Sequence, residues 1–108
     1  MKTVFHVTEP DLVSTAIGAV RNLLEDESLA VTEVNLVANG RSVEEFDKNS
    51  NIVDEVEDIL SDIVKIKVCS NSLTAFKVDD LIEGVEVVPS GVGELTKLQS
   101  YRCAYIRI

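Results

Sequence analysis

The chain switches between two hydrophobic periods from one end to the other, and that alternation limits its fold more than any other feature. Lys2-Thr3-Val4-Phe5-His6-Val7-Thr8 is rich in β-branched and aromatic residues and reads as a strand. Thr8-Glu9-Pro10-Asp11 reads as a helix entry, with Pro near the first turn and acids at the positive dipole end. Leu12, Ala16, Ala19, Val20, Leu23 and Leu24 then recur at helical spacing, up to a stop near Asp26-Glu27-Ser28. A second strand spans Ala30 to Ala38 and closes on Asn39-Gly40, a pair that tolerates positive φ. Arg41 to Asn51 is polar apart from Val43 and Phe46 and reads as a loop holding a helical turn. Ile52, Val56, Ile59, Leu60 and Ile63 mark a second helix, with Asn49, Ser50 or Asn51 as its cap.

Lys65 to Cys69 forms the third strand pattern, followed by a short helix over Ser70 to Phe76. A helical turn is expected over Val78 to Ile82, ended by Gly84, and a fourth strand over Val85 to Val88. Pro89-Ser90-Gly91-Val92 opens a helix carrying Val92, Leu95 and Leu98, and Tyr101 to Ile108 reads as the last strand. Strands joined through helices run the same way, so the sheet should be mainly parallel, with helices on both faces. The 108 residues suffice for one domain with its own core, and no linker, repeat or low-complexity tract divides residues 1–108.

Composition excludes some functions. With 19 acidic and 10 basic residues the net charge is −9, which disfavours nucleic acid and anionic membranes as partners. The apolar stretches are too short to span a bilayer, and Met1-Lys2-Thr3-Val4-Phe5 lacks the apolar core of a secretory signal, so the cytoplasm is expected. Two cysteines and one histidine make neither a disulfide framework nor a convincing zinc site. No dinucleotide or Walker-type glycine spacing occurs, so neither an organic cofactor nor a metal is expected.

In open parallel sheets ligands bind beyond the carboxyl ends of the strands, where helix N-termini also point. Here those ends are Thr8-Glu9, Asn39-Gly40, Cys69-Ser70-Asn71 and Pro89-Ser90-Gly91-Val92. Cys69 is the side chain with reactive chemistry at that edge. A thiol facing free N–H groups of a new helix ionises more readily, and such a thiolate can hold sulfane sulfur as a persulfide. The plainer reading of Cys69 is a small apolar filler. Cys103 lies in the last strand pattern and reads as packing. With parallel strands the two thiols fall at opposite sheet edges, too far apart for a disulfide. His6, among Phe5 and Val7, reads as a hydrogen-bonded core or interface histidine.

Several segments together resemble the DsrE/DsrF-like family of small sulfur-relay proteins. Val68-Cys69-Ser70-Asn71-Ser72-Leu73 is similar to the family's Cys-x-Asn-[Ser/Thr]-Leu segment. Gly84 to Leu95 follows at suitable spacing, and Gln99 to Ile106 resembles its closing Gln-x-x-x-x-Ala-Tyr-Ile pattern. Val4 to Val7 and Leu36 to Gly40 fit as well, although many relatives carry His-Gly where this chain has Asn39-Gly40. The resemblance implies a three-layer α/β/α fold, a mostly parallel five-stranded sheet, and a trimer or hexamer. It also implies that Cys69 carries persulfide sulfur between donor and acceptor proteins. Asn71 and the N–H groups of Ser70, Asn71 and Ser72 would stabilise the sulfur, with Asn39, Gly40, Pro89, Ser90 and Gly91 lining the pocket. The alternative from another class is a non-catalytic oligomer that binds a small molecule or nucleotide at the same edge. A structural alternative makes oligomerisation the main role, with Val43 and Phe46 buried at subunit contacts.

The plain reading of the acidic surface is a solvated face that keeps the protein soluble; a sharper one is a salt-rich cytoplasm. In that case the melting temperature rises from low to molar KCl as carboxylate repulsion is screened; a flat response removes the idea.

Overall fold

A computed structural model describes all 108 residues. Five strands form one sheet: β1 (Lys2–Val7), β2 (Glu33–Ala38), β3 (Val64–Cys69), β4 (Glu86–Val88) and β5 (Ala104–Arg107). Their order is β4-β3-β2-β1-β5, and every pairing is parallel. The helices are α1 (Val13–Glu25), α2 (Val53–Ile59), α3 (Ser70–Ala75) and α4 (Gly91–Ser100). No helix is long and apolar enough to cross a membrane.

The order explains the layers. From β1 to β4 the chain steps across the sheet in one direction, and crossovers of one hand place their helices on one face. After β4 it reverses and returns beyond β1 to lay down β5, so α4 covers the opposite face. The first face holds the main core: Phe5, Val7, Leu36, Ala38, Ile66 and Val68 of the sheet pack on Val13, Ile17 and Val20 of α1 and on Val56 and Ile59 of α2. The second face holds a smaller cluster of Val4, Val37, Leu95, Leu98 and Cys103. Full burial of a Val or Leu contributes roughly 1.5–3 kcal/mol. Eighteen buried residues against five therefore put most of the apolar driving force on the first face. The sequence pattern shows the same imbalance within β3, where Val64, Ile66 and Val68 are buried while Lys65 and Lys67 alternate onto the α4 side.

Several boundaries depart from the sequence reading. Residues 40–51 form a 3-10 segment over Gly40–Phe46 rather than a loose loop. Val43 and Phe46 are fully buried in the main core, so they are not subunit-contact surface. Val78 to Ile82 is not a helical turn. It is a strap bridged to the 46–48 segment, with Ile82 N–H donating to the Phe46 carbonyl at 2.9 Å and Lys48 N–H to the Asp80 carbonyl at 3.0 Å. The second helix starts after Ile52 without a side-chain cap and stops at Ile59, short of Ile63. There the Ser61 hydroxyl accepts the N–H groups of Ile63 and Val64 and turns the chain. The last strand starts at Ala104, because Tyr101 to Cys103 close α4. Cys103 N–H donates to the Leu98 carbonyl and Arg102 N–H to that of Gln99, with Arg102 at φ +67°. This is a Schellman ending with arginine where glycine is usual.

Phe46→Ala should destabilise the protein by about 3–5 kcal/mol. Urea unfolding checks it, and the loss should not vary with protein concentration, as it would if Phe46 packed between subunits.

Candidate functional site

The crossover reversal decides where the strand ends that carry the expected site residues meet. The chain leaving β3 enters α3, whose Leu73 packs against the main core, while the chain leaving β4 enters α4 on the opposite face. Adjacent strands whose continuations part in this way leave a gap at their carboxyl ends, where parallel sheets bind ligands. Cys69, the last residue of β3, lies where the two continuations part and pairs in register with Val88 of β4. It follows Val68, which points into the main core, so its side chain turns towards α4.

The sulfur is close to polar hydrogens from both sides. Burial pushes the Cys69 thiol up, but hydrogen bonding from the hydroxyl and N–H of Ser72 and from the N–H groups of Gly91 and Asn71 outweighs it, and the net shift is below the ordinary thiol value. Ser72 owes its part to the neighbouring strand. Gly40 N–H donates to the Ser72 Oγ at 2.8 Å, which occupies the oxygen as an acceptor and leaves its O–H for the thiolate. Gly40 sits at φ +63°, a conformation that glycine takes without strain. Gly91 is required for a different reason. A Cβ there would lie 2.9 Å from the Asn39 Cβ, so only glycine lets α4 start this close to the end of β2.

The expected site residues separate into three groups. Cys69, Asn71, Ser72 and Gly91 meet at the sulfur, Asn71 through its backbone N–H while its residue is exposed. Gly40 acts one step behind, through Ser72. Ser90 caps α4, its Oγ accepting Gly93 N–H at 3.0 Å, while Ser70 starts α3 and its carbonyl accepts the Thr74 hydroxyl. Pro89 is an exposed residue ahead of that cap. Asn39 packs on Gly91 with its amide nitrogen beside the glycine, while its Oδ1 accepts from His6 Nε2 at 2.9 Å. The other ring nitrogen, Nδ1, then accepts the Tyr105 hydroxyl at 2.6 Å. Both nitrogens of the one histidine are thus occupied, and neither serves the sulfur directly. This His6–Tyr105–Asn39 set joins β5, β1 and the residue that follows β2, an adjacency that the strand order creates.

Cys69 is 5% exposed. The two surface depressions lie elsewhere, one along Glu44, Asp47, Asn51 and Phe76 to Val78, the other between Arg21, Leu24 and Ser61. Cys69 is thus buried with no cavity opening beside it, and the groups around its sulfur are the N–H and O–H donors named above. Cys103 is its opposite in both place and chemistry. It lies near the amino edge of the sheet, where burial, then the negative charge of Glu33, pushes its thiol up; its Sγ is 3.8 Å from Glu33 Oε2.

The two thiols should consequently titrate apart. Iodoacetamide labelling followed over pH should show Cys69 reaching half-maximal rate below Cys103, and Ser72→Ala should move the Cys69 half-point upward by about one unit. Coincident profiles would contradict the geometry.

Comparison with known proteins agrees with this architecture. The profile of the DsrE/DsrF-like family matches residues 11–108. No curated protein matches the chain. Among solved structures, the protein of unknown function MTH1491 from Methanobacterium thermoautotrophicum is 35% identical, with a TM-score of 0.89 over 99% of this chain and 98% of that one. The ychN protein from E. coli superposes with a TM-score of 0.80 at 17% identity, with all of both chains covered. The BT1422 protein from Bacteroides thetaiotaomicron gives 0.71 at 19%, covering 99% of this chain and 94% of that one. At those last two identities the likeness concerns the fold alone. With its profile match over nearly the whole length and its five parallel strands, this chain belongs to the DsrE/DsrF-like family.

Proposed function

We propose that the protein is a sulfur carrier that holds sulfane sulfur as a persulfide on Cys69. The observation that carries this reading is the polar shell of the thiol, which favours the anion although the residue is buried. Family membership supports it, since sulfur relay is the activity that the resemblance implies. The step is a balanced exchange. The Cys69 thiolate attacks the outer sulfur of a donor persulfide, a new S–S bond forms on Cys69, and the donor's S–S bond breaks to release its thiolate. Transfer onward reverses the roles: an acceptor thiolate takes the outer sulfur and Cys69 leaves as thiolate. No electrons are gained or lost overall, so the cycle calls for no cofactor. N–H groups that favour the Cys69 thiolate make it a better leaving group in the second half.

On this reading the partners are cytoplasmic donor and acceptor proteins whose reactive tips reach between the starts of α3 and α4. The proposal includes a homo-oligomer, trimer or hexamer. Val87, Val92, Tyr101, Tyr105 and Ile106 are exposed apolar side chains that subunit contacts would cover.

Incubation of the reduced protein with glutathione persulfide, followed by intact-mass and peptide analysis, tests the proposal. The expected product carries about 32 Da more, mapped to Cys69 and absent from Cys69→Ser. No adduct, or equal loading of Cys103, would overturn it. A Cys69→Ser protein that keeps a bound ligand and its assembly state would point instead to a binding module.

A further inference from the structure

Lys67 of β3 and Glu94 in the first turn of α4 form an ion pair of 2.6 Å, with side chains only 14% and 10% exposed. In each of the other three ion pairs both side chains are at least 41% exposed. A pair so far from water adds little to stability, because removing each ion from solvent costs several kcal/mol and the mutual attraction roughly offsets that cost. Nor is it the main attachment of the helix. Leu95 and Leu98 pack on Val4 and Val37, which fixes the middle and the end of α4. Glu94 fixes its beginning. Lys67 lies two residues before Cys69 on the same face of β3, and Glu94 lies three residues after Gly91. The pair therefore ties the start of α4 to the strand that bears the sulfur.

We propose that Lys67 and Glu94 are positioning residues: they clamp the first turn of α4 against β3 so that the Gly91 N–H stays directed at the Cys69 sulfur. The proposal rests on Cys69 being the reactive group of the site, and not on sulfur being its cargo.

Simple charge logic gives the opposite sign, which makes the test sharp. The charged groups on this side of the sheet near Cys69 are Lys67 on its own strand, Glu94 on α4 and Glu86, which pairs in register with Lys67 from β4. Acting only through space, the Glu94 carboxylate opposes a nearby thiolate and Lys67 favours it. Glu94→Gln would then leave Lys67 uncompensated and move the Cys69 half-point in an alkylation–pH profile downward. As a clamp, the same substitution loosens the turn, weakens the N–H contact and moves the half-point upward.

The experiment is iodoacetamide alkylation over pH on the unloaded protein, with Cys103 as an internal reference and amide hydrogen exchange over residues 91–94. The expected result for Glu94→Gln is an upward shift of about half to one pH unit, a three- to tenfold slower reaction at fixed pH below the half-point. Faster exchange at residues 91–94 should accompany it. The double variant Lys67→Met with Glu94→Gln, which leaves no unpaired ion under the helix, should shift the same way. An unmoved or lowered half-point in either variant overturns the proposal. So does an upward change in Cys103 of equal size in Glu94→Gln, which would mean general loosening; the double variant is read on Cys69 alone, because Lys67 itself favours the Cys103 thiolate. Sulfur loading plays no part in these measurements, so a failed persulfide experiment leaves this test intact.

Discussion

The reversal of chain direction after β4 is the constraint on which the rest depends. As long as crossovers advance from β1 to β4, their helices gather on one face and bury the larger core. One change of direction sends α4 to the other face, where it meets β2 and β3 and leaves β5 beside β1. Because α3 and α4 begin on opposite sides of the β3–β4 edge, their first N–H groups face each other across Cys69. A single helix start would oppose the burial penalty with only one set of donors. Here Asn71 and Ser72 contribute from one side and Gly91 from the other, and together they outweigh burial.

The second face is built on different terms from the first. Its apolar cluster is small, and polar groups fill the space around it: the Lys67–Glu94 pair, the Asn35 amide donating to Glu33 at 3.0 Å, and the His6–Tyr105–Asn39 set. Buried polar groups hold geometry more than they add stability, since each must recover its lost hydration. The division of labour follows. The first face supplies most of the free energy that keeps the chain folded, and the second sets the relative positions of the strand ends where the thiol sits.

Much of this was legible in the chain. Period-2 runs such as Lys65 to Cys69 and period-3.6 runs such as Leu12 to Leu24 are local signals, so the five strands and the main helices could be placed from them. Cys69, Gly40 and Gly91 could also be singled out, because a strand end followed by small residues is a local pattern. Errors arose where distant contacts override local preference. Val78 to Ile82 pairs with the 46–48 segment instead of coiling, and Val43 and Phe46 are drawn into the core from a polar stretch. Ser72 is legible as part of the site, whereas the orientation of its hydroxyl by Gly40, 32 residues away, is not. Lys67 and Glu94 carried no local mark at all, being ordinary charges on a strand and a helix.

Sequence by itself determined the repeating β-α order, the parallel sheet, the family and the thiol at a strand terminus, because each depends on residues close together along the chain. Tertiary structure decided which strands are neighbours, and with them everything that needs groups from separate elements at one point. The acidity of Cys69 is of that kind: it depends on donors from α3, α4 and, through Ser72, the end of β2. So is the contrast with Cys103, whose thiol is pushed up first by burial and then by Glu33, seventy residues away. Electrostatics and hydrogen bonding act over a few ångströms of space, whatever the separation in sequence, and only the folded chain fixes those distances.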